Sequence, residues 1–360
     1  MSIPVALGER SYTIAVADSY RQLPRWLAPL ALPRQGWVIS HRRLLERHGS
    51  ALLGPLRRAG WTLETLCVPE SEASKSFASA QRVIAQLSRA AAMRVPTLFA
   101  FGGGVIGDLT GFVAAVFRRG VPYVQLPTTL LAQVDSAIGG KVGVDLPYAK
   151  NLVGAFYQPR FVCSNLSLLR TLPLRQRQSG LAEVIKYGVI ADRTLFSFLE
   201  EHLFACLALE LRAVRVMVER SSRIKARVVS RDERETKHIR AQLNFGHTLG
   251  HALEAATGYR RWTHGEAIAI GMSAAAHLGR ELGVCRAADA RRIVELIQSA
   301  GLPTRAHGVS RSQVLRAMRF DKKFIHGRPR WVLPTRIGQV VVTEAVPIGA
   351  ATRVVAEHLA

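Results

Sequence analysis

Cysteine is scarce in this chain, and its placement excludes several classes of protein. The 360 residues contain four cysteines, which are dispersed and form no CxxC pair: Cys67, Cys163, Cys206 and Cys285. This pattern excludes a disulfide framework and a CxxC zinc or redox site. The N-terminal segment has no basic region followed by an apolar run, so no signal peptide is predicted. We therefore expect a protein of a reducing, cytoplasmic compartment.

A hydrophobic run suited to crossing a membrane is also missing. The nearest candidate, 97–117, is mostly apolar, but Asp108 lies in its middle among five glycines. A charge and several glycines at that depth argue against a spanning helix. We therefore expect no membrane partner.

Negative charge is in short supply, because 26 acidic residues accompany 49 basic ones and the formal net charge is +23. Such an excess can indicate nucleic-acid binding. The basic residues are spread from Arg10 to Arg353, however, and no zinc finger, RNP-like motif or basic tail accompanies them. Solvated surface charge explains this distribution better, and the positive field favours an anionic small-molecule substrate over nucleic acid.

Lysine is rarer than arginine by far. Eight of the 49 basic residues are lysines: Lys75, Lys141, Lys150, Lys186, Lys225, Lys237, Lys322 and Lys323. A chain that uses arginine for general surface charge keeps lysine mainly where a compact, tunable ammonium is needed. All except Lys237 lie beside clusters of glycine, asparagine, aspartate or glutamate. We interpret them as candidates for phosphate contact or proton transfer, with chance retention on the surface as the alternative.

Short runs of β-branched and aromatic residues alternate with helical patterns in the first half of the chain. These runs lie at 12–16, 37–39, 63–68, 97–101 and 123–126. The alternation predicts a Rossmann-like α/β fold with a parallel sheet covered by helices. Beyond residue 172, amphipathic helical patterns follow one another over 175–256 and 266–300. We predict a nucleotide-binding α/β domain over 1–172 and a mainly α-helical domain over 173–360.

The glycine-rich segment 102–108 follows a predicted strand and precedes an apolar helix predicted over 109–117. It satisfies the pattern G-x-G-x-x-G, in which glycine lets the backbone approach a pyrophosphate and a helix N-terminus supplies N–H donors. A structural glycine turn is the alternative, because no carboxylate follows about 20 residues later to hold a ribose.

Three histidines and two carboxylates are concentrated in segment 239–266. His247 and His251 are four residues apart, so on a helix they share one face. Neutral imidazole is the commonest side-chain ligand of zinc-like ions, and two or three imidazoles with a carboxylate leave one coordination position open. Capping and core histidines are the alternative, because no HExxH pattern is present.

Two other segments place polar residues among apolar ones. Segments 126–141 and 148–151 together carry hydroxyls, a carboxylate, lysines and an amide, which suits binding of a cofactor or a phosphate. Glu183 and Lys186 lie on one face of a predicted helix. Their apolar neighbours favour a partly buried functional pair over a surface ion pair.

Together these motifs resemble those of the 3-dehydroquinate synthases, a family of the sugar-phosphate cyclase superfamily. The resemblance follows the chain in consistent order through segments 102–108, 127–141, 150–156, 182–188, 232–235, 243–252, 264–272 and 321–323. It implies the second step of the shikimate pathway in aromatic amino acid biosynthesis, in which 3-deoxy-D-arabino-heptulosonate 7-phosphate becomes 3-dehydroquinate and phosphate. The implied steps are transient oxidation by NAD, phosphate elimination, re-reduction and intramolecular aldol closure.

The resemblance also implies the cofactors NAD and one divalent metal ion, zinc or cobalt. The implied metal ligands are Glu183, His247 and His264. The residues implied to hold NAD are Glu72, Lys75, Gly103, Gly104, Val105, Ile106, Gly107, Asp108, Thr128, Thr129, Lys141 and Lys150. Asp108 is expected to cap its helix or to contact the cofactor.

A pocket for an anionic seven-carbon sugar acid phosphate is implied as well. Its residues are Asp135, Lys141, Asn151, Lys186, Lys225, Arg240, Asn244, His251 and Lys323. We hypothesise that Lys186 and Asp135 orient or relay protons, and that the cationic residues and Asn244 clamp the anionic groups. Arg119 matches an arginine that comes from the partner subunit, so a homodimer is implied.

Three other functions stay open on the sequence alone. A paralogous cyclase would make an inosose or a valiolone, and a metal-dependent polyol dehydrogenase would release NADH stoichiometrically. A basic nucleic-acid-binding protein would show no turnover. Asn151, His251 and segment 321–323 favour 3-dehydroquinate synthase over the paralogues, because its substrate carries a carboxylate that needs cations.

Overall fold

The computed structural model describes residues 1–90, 95–146, 149–320, 324–325 and 328–359. The chain divides into two compact units, Met1–Leu172 with Lys225–Arg234 and Pro173–Ile224 with Glu235–Ala360. This division differs from the predicted domain ranges in one segment, because Lys225–Arg234 belongs with the first unit. Among the described residues, no helix is both long and apolar enough to span a membrane.

Within the described part of the first unit, the main sheet has seven strands in the order β1-β2-β9-β6-β5-β3-β4. The strands of this unit are β1 (Ser2–Val5), β2 (Tyr12–Ala17), β3 (Gln35–Ser40), β4 (Thr62–Cys67), β5 (Thr97–Gly102), β6 (Tyr123–Pro127), β7 (Lys141–Leu146), β8 (Ala149–Phe156) and β9 (Phe161–Asn165). Neighbours in the main sheet are parallel except β1, which is antiparallel to β2, and β7 and β8 form a separate hairpin. The predicted runs are β2 to β6, and β1 and β7 to β9 were not predicted.

Helices α1 (Leu23–Leu27), α2 (Arg42–Arg58), α3 (Phe77–Ala90) and α4 (Gly104–Val116) complete the first unit. They cover both faces of the sheet, as β5 illustrates. Leu98 and Ala100 pack with residues of α3 and α4, whereas Phe99 and Phe101 pack with residues of α1 and α2. Alternate side chains of a strand point to opposite faces, so a strand covered on both sides is apolar throughout. The helix predicted from residue 109 begins at Gly104, directly after the strand.

The second unit is mainly helical, as predicted. Its elements are α5 (Leu174–Ala191), α6 (Arg193–Leu207), α7 (Leu211–Arg231, which belongs with the first unit from Lys225), α8 (His247–Ala256), α9 (His264–Glu281), α10 (Ala287–Ser299), α11 (Arg311–Phe320) and α12 (Ile348–Glu357). Two small antiparallel hairpins, β10 (Phe324–Ile325) with β11 (Arg328–Pro329) and β12 (Trp331–Arg336) with β13 (Gln339–Thr343), were not predicted.

Helix α9 is buried along most of its length and packs against α5 and α8. Glycines allow this close approach. A Cβ on Gly250 of α8 would lie 3.0 Å from the carbonyl oxygen of Ala267, and a Cβ on Gly265 of α9 would lie 2.5 Å from the Cα of Ser179 on α5. The small residues therefore let three helix backbones converge near the first turns of α8 and α9.

The N-terminus of α9 is held by several polar contacts. Thr263 and Glu266 form a capping box, in which each side chain accepts a hydrogen bond from the other residue's backbone N–H. Glu266 also accepts two hydrogen bonds from Arg175 at 2.7 Å, and the Ser179 hydroxyl accepts one from the Gly265 N–H. Glu266 therefore has a structural role, and these contacts hold the start of α9 where His264 begins the helix.

Replacement of Gly265 by alanine tests this packing. We expect Gly265→Ala to lower the free energy of unfolding by about 2–3 kcal/mol, because the added methyl group meets backbone atoms that no side-chain rotation can move. Gly349→Ala on α12 is the matched control, since no atom lies within 4 Å of its added Cβ. The control should be neutral or stabilising by about 0.5 kcal/mol. Urea titration of both variants provides the comparison, and equal stabilities would contradict the packing argument.

Candidate active site

Three predicted ligand side chains from α5, α8 and α9 lie together in the second unit. Oε1 of Glu183 lies 3.3 Å from Nε2 of His264 and 3.6 Å from Nε2 of His247. One potential ligand atom from each residue lies within 4.8 Å of the other two. The structure thus brings together residues that are separated by up to 81 positions in the chain, 264 − 183 = 81.

The ring of His247 is oriented by its own backbone neighbourhood. Gly246, with φ of 81°, turns the chain into α8, and Nδ1 of His247 lies 3.1 Å from the carbonyl oxygen of Phe245. A carbonyl oxygen only accepts hydrogen bonds, so Nδ1 must carry the proton in this contact. Nε2 is then unprotonated and presents its lone pair toward Glu183. This tautomer, with the proton on Nδ1, is the one that allows Nε2 to bind a metal ion.

The donor set fits a divalent cation. Bonds of about 2.0–2.1 Å in a tetrahedral arrangement place two ligand atoms about 3.4 Å apart, close to the two separations found here. Burial alone would lower the pKa of His264, but the carboxylates of Glu254 and Glu183 outweigh it and raise the pKa to about 10. The carboxylates that favour a proton on this imidazole would also favour a metal cation in place of that proton.

A second candidate triplet, His251, Glu254 and His264, shares one residue with the first. The two nitrogens of His264 distinguish the triplets, because Nε2 faces Glu183 whereas Nδ1 lies 3.2 Å from Oε2 of Glu254. A carboxylate on the far side of a ligating imidazole is the usual partner that orients such a ring. The geometry therefore favours Glu183, His247 and His264 as the ligand set.

Lys186 lies beside this group, with its ammonium against Oε2 of Glu183. Both side chains are almost completely buried, at 2% and 0% exposure. The surface-pair alternative for these two residues is therefore wrong. The Lys186 ammonium also lies 4.8 Å from the centre of the Tyr187 ring, at a distance suited to a cation–π contact.

The other predicted pocket residues of this unit lie before, within and after α8. Arg240 and Asn244 belong to a short 3₁₀ helix, Ile239–Asn244, and the buried Arg240 has its Nε 3.4 Å from Oε1 of Glu235. His251 lies one turn after His247, with ring centres 5.1 Å apart. Lys323 lies outside the described residues.

In the first unit, the glycine-rich segment forms the turn from β5 into α4. Gly102 pairs with Pro127, so Thr128 and Thr129 follow the neighbouring strand at the same edge, where the N–H of Thr128 donates to the carbonyl oxygen of Gly102. A Cβ on Gly103 would lie 3.2 Å from Cγ2 of Thr129, and one on Gly107 would lie 2.9 Å from Oε1 of Gln125. Helix α4 begins without a side-chain cap at Gly103, as expected for a turn that admits a pyrophosphate.

Lys75 connects this turn to the β7–β8 hairpin. Its ammonium is largely buried, lies 2.6 Å from Asp108 and 3.9 Å from Asp145, and donates to the side-chain oxygen of Asn151. Burial lowers the pKa of Lys75, but the attraction of Asp108 and Asp145 outweighs it and raises the pKa above its usual value. Asp108 lies in the second turn of α4 and pairs with Lys75, so it does not cap the helix. Asn151, which was predicted for the substrate pocket, lies with the residues predicted for the cofactor.

Two further ion pairs involve predicted residues of the first unit. Lys150 lies 2.6 Å from Glu72, and both were predicted to hold the cofactor. Lys225 lies 2.8 Å from Oδ1 of Asp135 and donates a second hydrogen bond to the Asp135 carbonyl oxygen. Asp135 lies in a π-helical turn, Ala132–Ser136, and the remaining lysine, Lys141, begins β7 with an exposed side chain.

Arg119 lies at the opposite end of α4 from the glycine-rich turn. It follows the C-terminal end of α4, whose 13 residues span about 20 Å from the glycine-rich turn. Arg118 and Arg119 both have left-handed backbones, with φ of 49° and 63°. The side chain of Arg119 is exposed.

The structure thus brings together Glu183, Lys186, His247, His251 and His264 in the second unit, and Lys75, Asp108 and Asn151 in the first. Two of their neighbours, Asp145 and Glu254, were not assigned a role from the sequence. Asp145 approaches Lys75 because segment 75–76 pairs with β7, where the N–H of Asp145 donates to the carbonyl oxygen of Lys75, and this long-range pairing has no local signal. Glu254 could have been found from sequence, because His247, His251 and Glu254 have the i, i+4, i+7 spacing of one helical face.

The chain is similar to known proteins over most of its length. Models for the N-terminal and C-terminal parts of 3-dehydroquinate synthase match residues 65–179 and 180–324. A 3-dehydroquinate synthase from a Picosynechococcus species is 43% identical over 359 residues, which cover 99% of this chain and 98% of the relative.

Solved structures share the fold. A 2-epi-5-epi-valiolone synthase from Streptomyces hygroscopicus subsp. jinggangensis, with NAD+ and Zn2+ bound, has a TM-score of 0.88, 25% identity and 98% coverage of both chains. A 2-deoxy-scyllo-inosose synthase with carbaglucose-6-phosphate, NAD+ and Co2+ has a TM-score of 0.86, 24% identity and full coverage of both chains. The predicted fold class is confirmed, and the two family models with the 43% identical relative show that this chain belongs to the 3-dehydroquinate synthase family.

Proposed function

We propose that this chain catalyses the reaction for which its family is named, the conversion of 3-deoxy-D-arabino-heptulosonate 7-phosphate into 3-dehydroquinate and phosphate. The observation that carries the proposal is the convergence of Glu183, His247 and His264 at distances suited to one divalent cation. The 43% identity to a 3-dehydroquinate synthase over nearly the whole chain supports the same activity.

The proposed cofactors are NAD and a zinc or cobalt ion, which a structural relative binds as NAD+ and Zn2+. When bound, they supply a hydride acceptor and a Lewis acid that makes a substrate hydroxyl more acidic. Glu183, His247 and His264 hold the cation. The glycine-rich turn, Thr128, Thr129 and the Lys75 and Lys150 ion pairs hold NAD.

Buried ion pairs position the groups that handle protons. Lys186 lies against Glu183, so its ammonium is fixed in position and orients a substrate hydroxyl. Asp135 is fixed in the same way by the buried Lys225 and serves as the acceptor or relay for a hydroxyl proton. Because these partners fix both side chains, the distance between proton donor and proton acceptor stays within hydrogen-bonding range.

Cationic side chains bind the two anionic ends of the substrate. Arg240 suits a bidentate contact with a carboxylate or a phosphate, and Lys141 and Lys225 supply point charges. Asn151, Asn244 and His251 add hydrogen-bond donors, and Lys323 is proposed for the same pocket. The net charge of +23 raises the local concentration of such an anion.

A reducing, cytoplasmic location is part of the proposal. The four cysteines are free, and Cys163, Cys206 and Cys285 are buried. Burial raises the pKa of Cys163 and of Cys206 to about 12, so neither thiol is poised to exchange disulfides.

The activity can be tested with the keto acid phosphate, a catalytic amount of NAD and a divalent ion. We expect phosphate release without net accumulation of NADH. Glu183→Ala should lose bound metal and slow phosphate release by about a thousandfold or more, because several kcal/mol of Lewis-acid stabilisation are removed. Metal analysis and a phosphate assay measure both effects.

Glu357→Gln is the control for that experiment, because Glu357 contacts His277 at 3.5 Å in a carboxylate–histidine pair away from the cluster. It should retain metal and activity. Faster turnover of a neutral heptulose phosphate would instead indicate a valiolone-type or inosose-type cyclase, and stoichiometric NADH a polyol dehydrogenase. A Glu183→Ala protein with bound metal and normal turnover would refute the ligand assignment.

We also propose that the enzyme is a homodimer in which Arg119 completes the site of the partner subunit. Its position after α4, about 20 Å along the helix from the glycine-rich turn, removes it from its own unit's cofactor group. The left-handed backbone conformations of Arg118 and Arg119 destabilise the fold by about 1–3 kcal/mol each. Strained backbone of this kind is found mainly at functional sites.

Mixing two inactive variants tests this arrangement. Arg119→Ala and Glu183→Ala proteins should each be inactive, but after subunit exchange about a quarter of the wild-type activity should return. The reason is that half of the random dimers are mixed, and each mixed dimer contains one site with both residues intact. If Arg119 acts within its own chain, no activity returns, because every site then lacks one of the two residues.

A further inference from the structure

Glu254 was not among the residues predicted for the site, although it lies beside one of the proposed ligands. It is on α8, two turns after His247, and its side chain is about nine-tenths buried. Oε2 of Glu254 lies 3.2 Å from Nδ1 of His264, and Nε2 of the same ring lies 3.3 Å from Oε1 of Glu183. The imidazole of His264 therefore stands between two carboxylates, one at each nitrogen.

The two nitrogens of an imidazole point away from each other, so one ring does not bring both carboxylates to a single cation. His247 supplies its Nε2 on the side of Glu183 as well, because its Nδ1 donates to the Phe245 carbonyl oxygen. Both Nε2 atoms therefore face Glu183, and Glu254 lies behind the ring of His264. This is the position from which a carboxylate fixes the tautomer and orientation of a ligating histidine.

We propose that Glu254 is a positioning residue, which accepts a hydrogen bond from Nδ1 of His264 and thereby holds Nε2 toward the cation. This inference rests on the proposed metal centre. The two histidines are then oriented by different groups, a neutral backbone carbonyl for His247 and a carboxylate for His264. The carboxylate of Glu254 also makes the imidazole of His264 more basic, so that Nε2 donates its lone pair to a metal ion more strongly. Glu254 therefore contributes to the affinity for the metal ion as well as to the orientation of the ring.

A graded pair of substitutions separates charge from hydrogen bonding. In Glu254→Gln the amide oxygen can still accept from Nδ1 but the charge is lost, and in Glu254→Ala both are lost. We expect the dissociation constant for Zn2+ to rise about tenfold in the first and about a hundredfold in the second. Transfer of Zn2+ from the loaded full-length protein to a chromophoric chelator measures this constant, with Glu357→Gln as the matched control.

Cobalt gives a readout that general destabilisation does not change. The cobalt-loaded Glu254→Gln protein should bind one ion per chain with the same visible absorption bands as the wild type, because the three ligands are unchanged. If the Glu254→Gln protein loses those bands, Glu254 is a ligand and the positioning role is wrong. The same conclusion follows if this protein binds no ion at saturating cobalt, as is expected for Glu183→Ala. Wild-type affinity in both Glu254 variants would also overturn the positioning role. A wild-type protein that binds no metal would instead refute the proposed metal centre.

Discussion

The buried carboxylate of Glu183 is the constraint on which the second unit depends. A charge withdrawn from water costs several kcal/mol unless cations and donors surround it. Lys186 lies against one of its oxygens, and Nε2 atoms of His247 and His264 face the other. These partners come from α5, α8 and α9, so the three helices have to cross closely, and glycines at the crossings allow it. The ammonium of Lys186 neutralises the carboxylate, and the Nε2 atoms of His247 and His264 lie where they and Glu183 can share a cation.

The first unit neutralises a buried charge of the opposite sign. The ammonium of Lys75 is 7% exposed and is held by Asp108, Asp145 and Asn151, which ties the glycine-rich turn to the β7–β8 hairpin. Lys186 and Lys225 are similarly buried against a carboxylate. By contrast, the arginines that pair with Glu233, Glu266 and Glu281 are more than half exposed. Three of the eight lysines thus occupy sites where a compact ammonium fits, which is the use expected of them.

Much of the fold could be predicted because its signals are local. Strands β2 to β6 show apolar runs and the helices show 3.6-residue periodicity, and both patterns arise from burial of each element's own side chains. Strands β7 to β9 gave no such signal. Helix α4 was predicted to begin at residue 109, because the glycines before it have low helix propensity, but packing against the neighbouring strand overrides that propensity. The contact of Asn151 with Lys75 was not predicted, since hairpin register is a long-range property.

Spacing alone pointed to the pair His247 and His251, and the family resemblance of the motifs was needed to propose Glu183, His247 and His264 as a metal-binding set. Alternation of elements was sufficient for a parallel sheet followed by helices. Spacing could not decide what each carboxylate of segment 239–266 does, because Glu254 and Glu266 are equally suited to ligation. The capping box of Glu266 follows the local pattern Thr-x-x-Glu. Its contact with Arg175 and the position of Glu254 at Nδ1 of His264 come from the crossing of α5, α8 and α9. Which atom faces which depends on packing between distant segments, and no local pattern encodes that.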